Sequence, residues 1–175
     1  MARGIVLAIA VFGTMLIEAR RAARNERVQR DRGGVEPPDD VYRVMRIAYP
    51  LAFAAMLGEG FLRQPVPAGL VATGMTLFAA AKALKWWAIL SLGRFWTFRV
   101  IVVPGVPLIR RGPYRWLRHP NYVGVVGELV GVAVAAGAAV FGVAAMTGFG
   151  LLLVKRIRVE ERMLATAPRG AETSK

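Results

Sequence analysis

Residues 110–131, "RRGPYRWLRHPNYVGVVGELVG", decide how the chain is read. They set its single histidine, His119, before a proline at the start of an apolar segment, and then place an acid, Glu128, inside that segment. A proline is at home in the first turn of a helix, where its missing N–H costs no hydrogen bond, so a helix is expected from about Pro120. The free N–H groups and positive dipole end of that helix favour an anion such as a carboxylate. Arg118, His119, Asn121 and Tyr122 surround the point. Glu128 falls about 10 Å further along, where a lone charge in lipid is costly, so it must face protein, a polar cavity or a proton. Gly124, Gly127 and Gly131 lie around it, and "GELVG" is a GxxxG pattern that admits another helix closely. A second reading stays open here: Tyr114, Trp116 and Tyr122 as an interfacial aromatic belt, with Arg115 and Arg118 reaching headgroups.

Outward from this stretch, composition supplies the setting. Hydrophobic residues make up 55% of 175, more than a soluble domain of this size needs to fill one core. Apolar runs cover about 4–17, 45–62, 67–92 and 122–154. The last would make about 50 Å of helix, too long for one crossing, so it is expected to fold as a hairpin of two short helices bending within 137–142, where glycine is the available punctuation. The expected fold is all-α: an integral membrane bundle of five transmembrane helices with a C-terminal hairpin and a cytosol-facing pocket. Residues 1–92 hold three spans, 93–164 the connector, hairpin and terminal motif, and 165–175 a tail.

Charge orients the bundle. Lys and Arg total 24 against 11 acids, a net +13. Eight lie between the first two spans, six between the third and fourth and six from Lys155 onward, against Arg3 and Arg63 on the other face. The positive-inside rule then puts the N-terminus outside and the C-terminus in the cytosol of a multi-pass membrane protein. The same distribution argues against nucleic acid as a partner, because topology alone places basic residues at every cytosolic loop. The first segment is expected to stay as an anchor rather than a cleaved signal. Residues 18–32 should continue it as an amphipathic stem with a solvated, lipid-touching face, ending at Gly33–Gly34.

Zero cysteines exclude disulfides, thiolate metal sites and lipid attachment at a thiol. One histidine builds no zinc site, no Ser-His-Asp spacing occurs, and no Gly-rich phosphate loop is present. Chemistry therefore falls to Arg, Glu, Tyr, Asn and His119. A second cluster of such residues is "VKRIRVEERML", 154–164, where the last span leaves the membrane. Arg156 with Glu160 and Arg158 with Glu161 have the spacing of salt bridges along one helix. Glu160 and Glu161 point about 100° apart, so at most one should aim squarely into a pocket. Glu59 near the outer end of span two can reach the interface, and Tyr49-Pro50 reads as a kink.

"GPYRWLRHPNYVG" at 112–124, followed across the hairpin by "RIRVEERML" at 156–164, resembles the signature of the isoprenylcysteine carboxyl methyltransferase family, integral membrane enzymes that use S-adenosylmethionine. The preceding "LGRFWTFRVIVVPGVPLIRRGPYR" is similar to a bacterial branch that methylates hydroxyls of long-chain polyketides such as alkylpyrones. The resemblance puts His119, Pro120 and Tyr122 on the family's cofactor-binding positions and Arg156 and Glu161 on the Arg and Glu of its terminal motif; Tyr114, Arg118, Asn121 and Glu160 complete the expected cofactor site as neighbours, and a lipophilic small-molecule acceptor arrives laterally from membrane lipid. In many members an aromatic-rich segment follows the terminal motif and helps close the pocket; here "ATAPRGAETSK" follows, and closure is expected to be looser or to come from a partner protomer. Methyl transfer to a hydroxyl or enol needs alignment, a dry site and help with a proton. Arg156 and Arg158 are candidates for lowering the acceptor's pKa and Glu128 for the base. Carboxyl methylation of a prenylated cysteine is the alternative acceptor chemistry; a non-enzymatic scaffold or lipid-binding subunit is the alternative class.

Overall fold

A computed structural model describes residues 2–63, 65–107 and 109–166. Of the expected tail, 167–175 lies outside the described residues. The described residues form five α-helices: α1 (Ala2–Arg30), α2 (Tyr42–Leu62), α3 (Ala68–Leu92), α4 (Pro120–Ala136) and α5 (Ala139–Thr166). Two 3-10 turns, Gly93–Phe95 and Gly112–Arg115, flank the long connector between α3 and α4. Among the described residues the extended backbone makes one isolated antiparallel bridge, Val35 with Val102. The helices α3, running on to Phe95, and α5 are long and apolar enough to cross a membrane, and α4 is a shorter apolar helix.

The bend expected within 137–142 falls at its first residue. Gly137 takes φ +64°, the left-handed conformation that ends helices at low cost, and its N–H returns to the carbonyls of Ala133 and Val134. On the far side of the bend the first N–H groups of α5 need partners. Glu59 provides them: its carboxylate accepts from Val140 N at 3.0 Å and Phe141 N at 2.7 Å, while Arg63 pairs with it at 3.0 Å. The acid expected to look outward is thus a helix cap supplied by α2.

The antiparallel pair α3–α4 is the tightest seam. A Cβ at Gly131 would lie 2.6 Å from Phe78 N, and one at Gly127 would lie 2.7 Å from Ala81 Cβ, so bare backbone is required on α4. The core then fills from all sides with Phe53 and Met56 of α2, Phe78 of α3, Leu129 and Val132 of α4, and Phe149 and Leu153 of α5.

The stem of α1 corrects the expectation of a merely solvated face. Leu7, Val11, Glu18, Ala22, Asn25 and Gln29 recur at helical spacing and are all buried. The lower part of this stripe grips the connector: Asn25 Nδ2 donates to the carbonyls of Gly93 (3.0 Å) and Trp96 (2.7 Å), and Gln29 Nε2 to that of Arg94 (3.1 Å). The helix does end where glycine was expected to stop it, with Gly34 N bonded back to Gln29 O and Gly33 at φ +75°.

Candidate active site

His119 is the residue before α4, with Pro120 in the first turn, and its side chain makes no capping bond. Its imidazole instead turns to α5, placing Nε2 3.2 Å from Glu161 Oε1 and Nδ1 4.0 Å from Glu160 Oε2. The ring also stacks on Tyr122, one turn along α4, at 5.5 Å between centroids. The Tyr122 hydroxyl donates to Glu160 Oε2 at 2.5 Å and accepts from Arg156 Nε at 3.3 Å. The start of α4 and the end of α5 are therefore stitched together by five side chains. Both acids take part, against the expectation that only one would, because the long side chains of His119 and Tyr122 divide them.

Arg156 is buried and does not pair with Glu160 along its own helix. It donates through Nη1 to Asp40 Oδ1 and through Nη2 to Phe98 O at 2.6 Å. Asp40 also accepts from Tyr42 N and Val100 N, both at 3.0 Å, so one carboxylate joins the start of α2, the connector and α5. Three of the roughly five guanidinium donors are thereby committed. Arg99 adds to the same roof, held by Glu36 at 2.5 Å and lying over the Tyr42 ring. The connector and the α1–α2 loop close over this end of the bundle.

The remaining sequence-predicted residues separate into two groups. Tyr114, Arg118 and Asn121 line one cavity with His119, Tyr122 and Arg156. Burial, and then the charge of Glu160, push the Tyr114 hydroxyl above its ordinary value, so it stays protonated as a donor. Asn121 Oδ1 accepts from Trp96 Nε1 at 3.2 Å. Pro120 is buried in the helix start and does not line the cavity; Arg158 is exposed on the outer side of α5, away from it. The predicted pair of Arg158 with Glu161 gives way to the bond from His119.

Glu128 is 1% exposed and also lies off the cavity lining. It belongs to a buried quartet that sequence reasoning missed. Lys82 Nζ reaches Glu128 Oε1 at 2.9 Å and Glu18 Oε1 at 3.1 Å; Lys85 Nζ reaches Glu18 Oε2 at 2.7 Å and Glu128 Oε1 at 3.3 Å. Tyr49 OH donates to Glu128 Oε2 at 2.7 Å, which gives the residue before the predicted kink a polar task. The available signal was two lysines one turn apart inside an apolar run, with Glu128 inside another run and Glu18 at the edge of the first.

The cavity itself measures about 1390 Å³. That exceeds the roughly 300–1,000 Å³ of a pocket for one small ligand. One end carries His119, Glu160 and Glu161; the other is walled by Phe12, Met15, Met45 and Phe149, with Glu18, Tyr49 and Lys85 among them. It can hold a charged, water-soluble molecule at one end and an apolar chain at the other.

The chain is 29% identical over 143 residues to the "Uncharacterized protein YpbQ" of Bacillus subtilis, covering 82% of this chain and 85% of that one. It is 26% identical over 93 residues to an "Uncharacterized protein" of Haemophilus influenzae, covering 53% and 54%. No solved structure matches it. Residues 72–166, which include α4, α5 and the side chains of His119, Tyr122, Arg156, Glu160 and Glu161, match the family described as isoprenylcysteine carboxyl methyltransferase. The chain belongs to the isoprenylcysteine carboxyl methyltransferase (ICMT) family.

Proposed function

We propose that the chain is an integral membrane O-methyltransferase that uses S-adenosylmethionine and acts on a lipophilic acceptor carrying a hydroxyl or enol. The observation that carries this reading is the single cavity with two unlike ends, polar and partly open at His119, Glu160 and Glu161, apolar at α1 and α2. Five helices cross or enter the membrane, with the N-terminus outside and the Arg-rich loops and C-terminus in the cytosol. The exposed Ile5, Ile9 and Ile17 of α1 and Leu51 of α2 then face lipid.

The side chains suit the cofactor's chemistry. S-adenosylmethionine combines an ammonium, a carboxylate, a sulfonium and ribose hydroxyls, and it supplies an electrophilic methyl group. Glu161 is half exposed beside His119 and keeps lone pairs for an ammonium or a ribose hydroxyl. The amide end of α4 and Arg118 suit a carboxylate. Arg156 holds Tyr122 and the roof in place and adds positive field where an acceptor oxygen would gain charge. The roof of Trp96 to Val103 excludes water, which strengthens each of these interactions.

Calorimetric titration of S-adenosylhomocysteine into detergent-purified protein tests the reading. Binding is expected, and His119→Ala and Glu161→Gln should each abolish or strongly weaken it with helix content unchanged. A folded protein that gives no heat would be the scaffold or lipid-binding subunit instead. Incubation with labelled methyl donor and membrane lipid extract then identifies the acceptor: a base-stable methyl ether marks a hydroxyl, a base-labile ester a carboxylate.

A further inference from the structure

Trp96 is held from three sides. Asn25 Nδ2 of α1 donates to its carbonyl at 2.7 Å, its ring packs with Ala22 and Ile89, and the Phe98 ring meets it edge-on at 5.2 Å between centroids. It is 2% exposed, yet it reaches the cavity lining, where its indole Nε1 stands 3.2 Å from Asn121 Oδ1. That bond fixes an orientation. An indole N–H can only donate, so the atom of Asn121 that faces it must be the amide oxygen, and the amide nitrogen must point elsewhere. Among the described residues the Asn121 side chain makes no second hydrogen bond. Asn121 is partly exposed and lines the cavity, and its nitrogen is not one of the buried side-chain atoms left without a partner, so it is open to whatever the cavity holds.

Charge divides this end of the cavity. Its acids, Glu160 and Glu161, come from α5; the donors Tyr114 and Arg118 come from the connector and Asn121 from α4. A ligand that carries an ammonium and a carboxylate on one carbon would therefore turn its ammonium to α5 and its carboxylate to the donors. We propose that Trp96 is a positioning residue for such a ligand: it holds the Asn121 amide with its nitrogen in the cavity, where the nitrogen donates to the carboxylate of the methyl donor's amino-acid end. The inference rests on the methyltransferase reading for the identity of that ligand. The oxygen and nitrogen of an amide are nearly the same size, so shape alone does not choose between them. Turned the other way, Asn121 would set its oxygen against the carboxylate and its N–H groups against the indole N–H, two repulsive contacts in place of two hydrogen bonds. With the amide preorganised, none of the binding energy goes into turning it. Asn25, outside the residues matched to the family, ties the arrangement to α1.

Calorimetry on the detergent-purified full chain with two ligands, S-adenosylhomocysteine and its decarboxylated analogue, tests this. The analogue keeps the nucleoside and the ammonium and lacks only the carboxylate. Wild type should bind S-adenosylhomocysteine at least about tenfold more tightly than the analogue, the worth of one hydrogen bond to a charged group. Asn121→Asp keeps an oxygen for Trp96 but sets a second, charged oxygen where the nitrogen was, and should reverse that preference. Trp96→Phe removes the donor and keeps an aromatic ring. It should weaken S-adenosylhomocysteine about three- to tenfold, leave the analogue unchanged, and cost nothing further in a chain that already carries Asn121→Ala. Equal weakening of both ligands by Trp96→Phe, or a loss that adds to that of Asn121→Ala, means that the indole only packs the roof and overturns the proposal. Should Trp96→Phe not fold, Asn121→Asp decides with the roof intact: an unreversed preference overturns the assignment. A wild-type chain that binds both ligands alike overturns this inference alone; one that binds neither overturns the methyltransferase reading with it.

Discussion

The two ends of the cavity are built from the same parts, carboxylates set against cations and a tyrosine hydroxyl, and they differ in what surrounds them. At the mouth, Glu161 is 49% exposed and His119 18%, so neither is fully occupied by its neighbour. At the floor, every charge of the quartet meets two opposite charges, and the side chains are only 1–11% exposed. The mouth keeps spare hydrogen-bonding capacity for something that arrives from solution. The floor is self-sufficient in charge. The contrast shows that residue type alone does not set a role; access to water does.

The largest expected effect breaks the floor. Lys85→Met alone leaves two buried carboxylates facing one lysine, and losing one partner of a buried pair costs about 3–5 kcal/mol. Unfolding in detergent should show a loss of this size, whereas Glu161→Gln, at the open end, should leave stability nearly unchanged. Equal losses would erase the distinction. Next comes Asp40→Ala, which removes the acceptor for Arg156, Val100 N and Tyr42 N together and should cost about 1.5–3 kcal/mol through its charge-assisted bonds. Asp40→Asn should recover part of that loss, because the amide oxygen still accepts.

At the mouth, His119→Ala should weaken S-adenosylhomocysteine binding by about 10–100-fold, the worth of one charge-assisted contact, with the unfolding midpoint unmoved. The smallest effect belongs to Asp39. The bond from Arg162 holds its carboxyl below the usual carboxylate range, so what it contributes is present above that range and fades as pH falls through the lowered value. It is solvent-exposed, so Asp39→Asn should be indistinguishable from wild type near neutrality, with any difference in unfolding midpoint shrinking as pH drops below about 4.

The helical architecture and the mouth were legible because local signals agreed with tertiary structure. Proline after His119 starts α4, Gly137 ends it, and the two motifs bring His119, Tyr122, Arg156, Glu160 and Glu161 to one place. The partners of Arg156 were not legible. Helical spacing offered Glu160, but a buried guanidinium is satisfied by whatever its neighbours present, here a loop aspartate with no periodicity to announce it. Glu18 was hidden for a different reason: it sits at the boundary between the apolar and basic halves of α1, and only packing decides which way that face turns.

The cap that Glu59 places on α5 has a consequence for the length of that helix. Its first turn is fastened at Val140 and Phe141, and the next fixed point is Arg156, held from outside the helix. Between them α5 works as a ruler. One residue added or removed there would rotate everything downstream by about 100°, swinging the Glu160–Glu161 pair off the imidazole while leaving composition and hydropathy untouched. Variation along this segment should therefore be by substitution, with its residue count held constant.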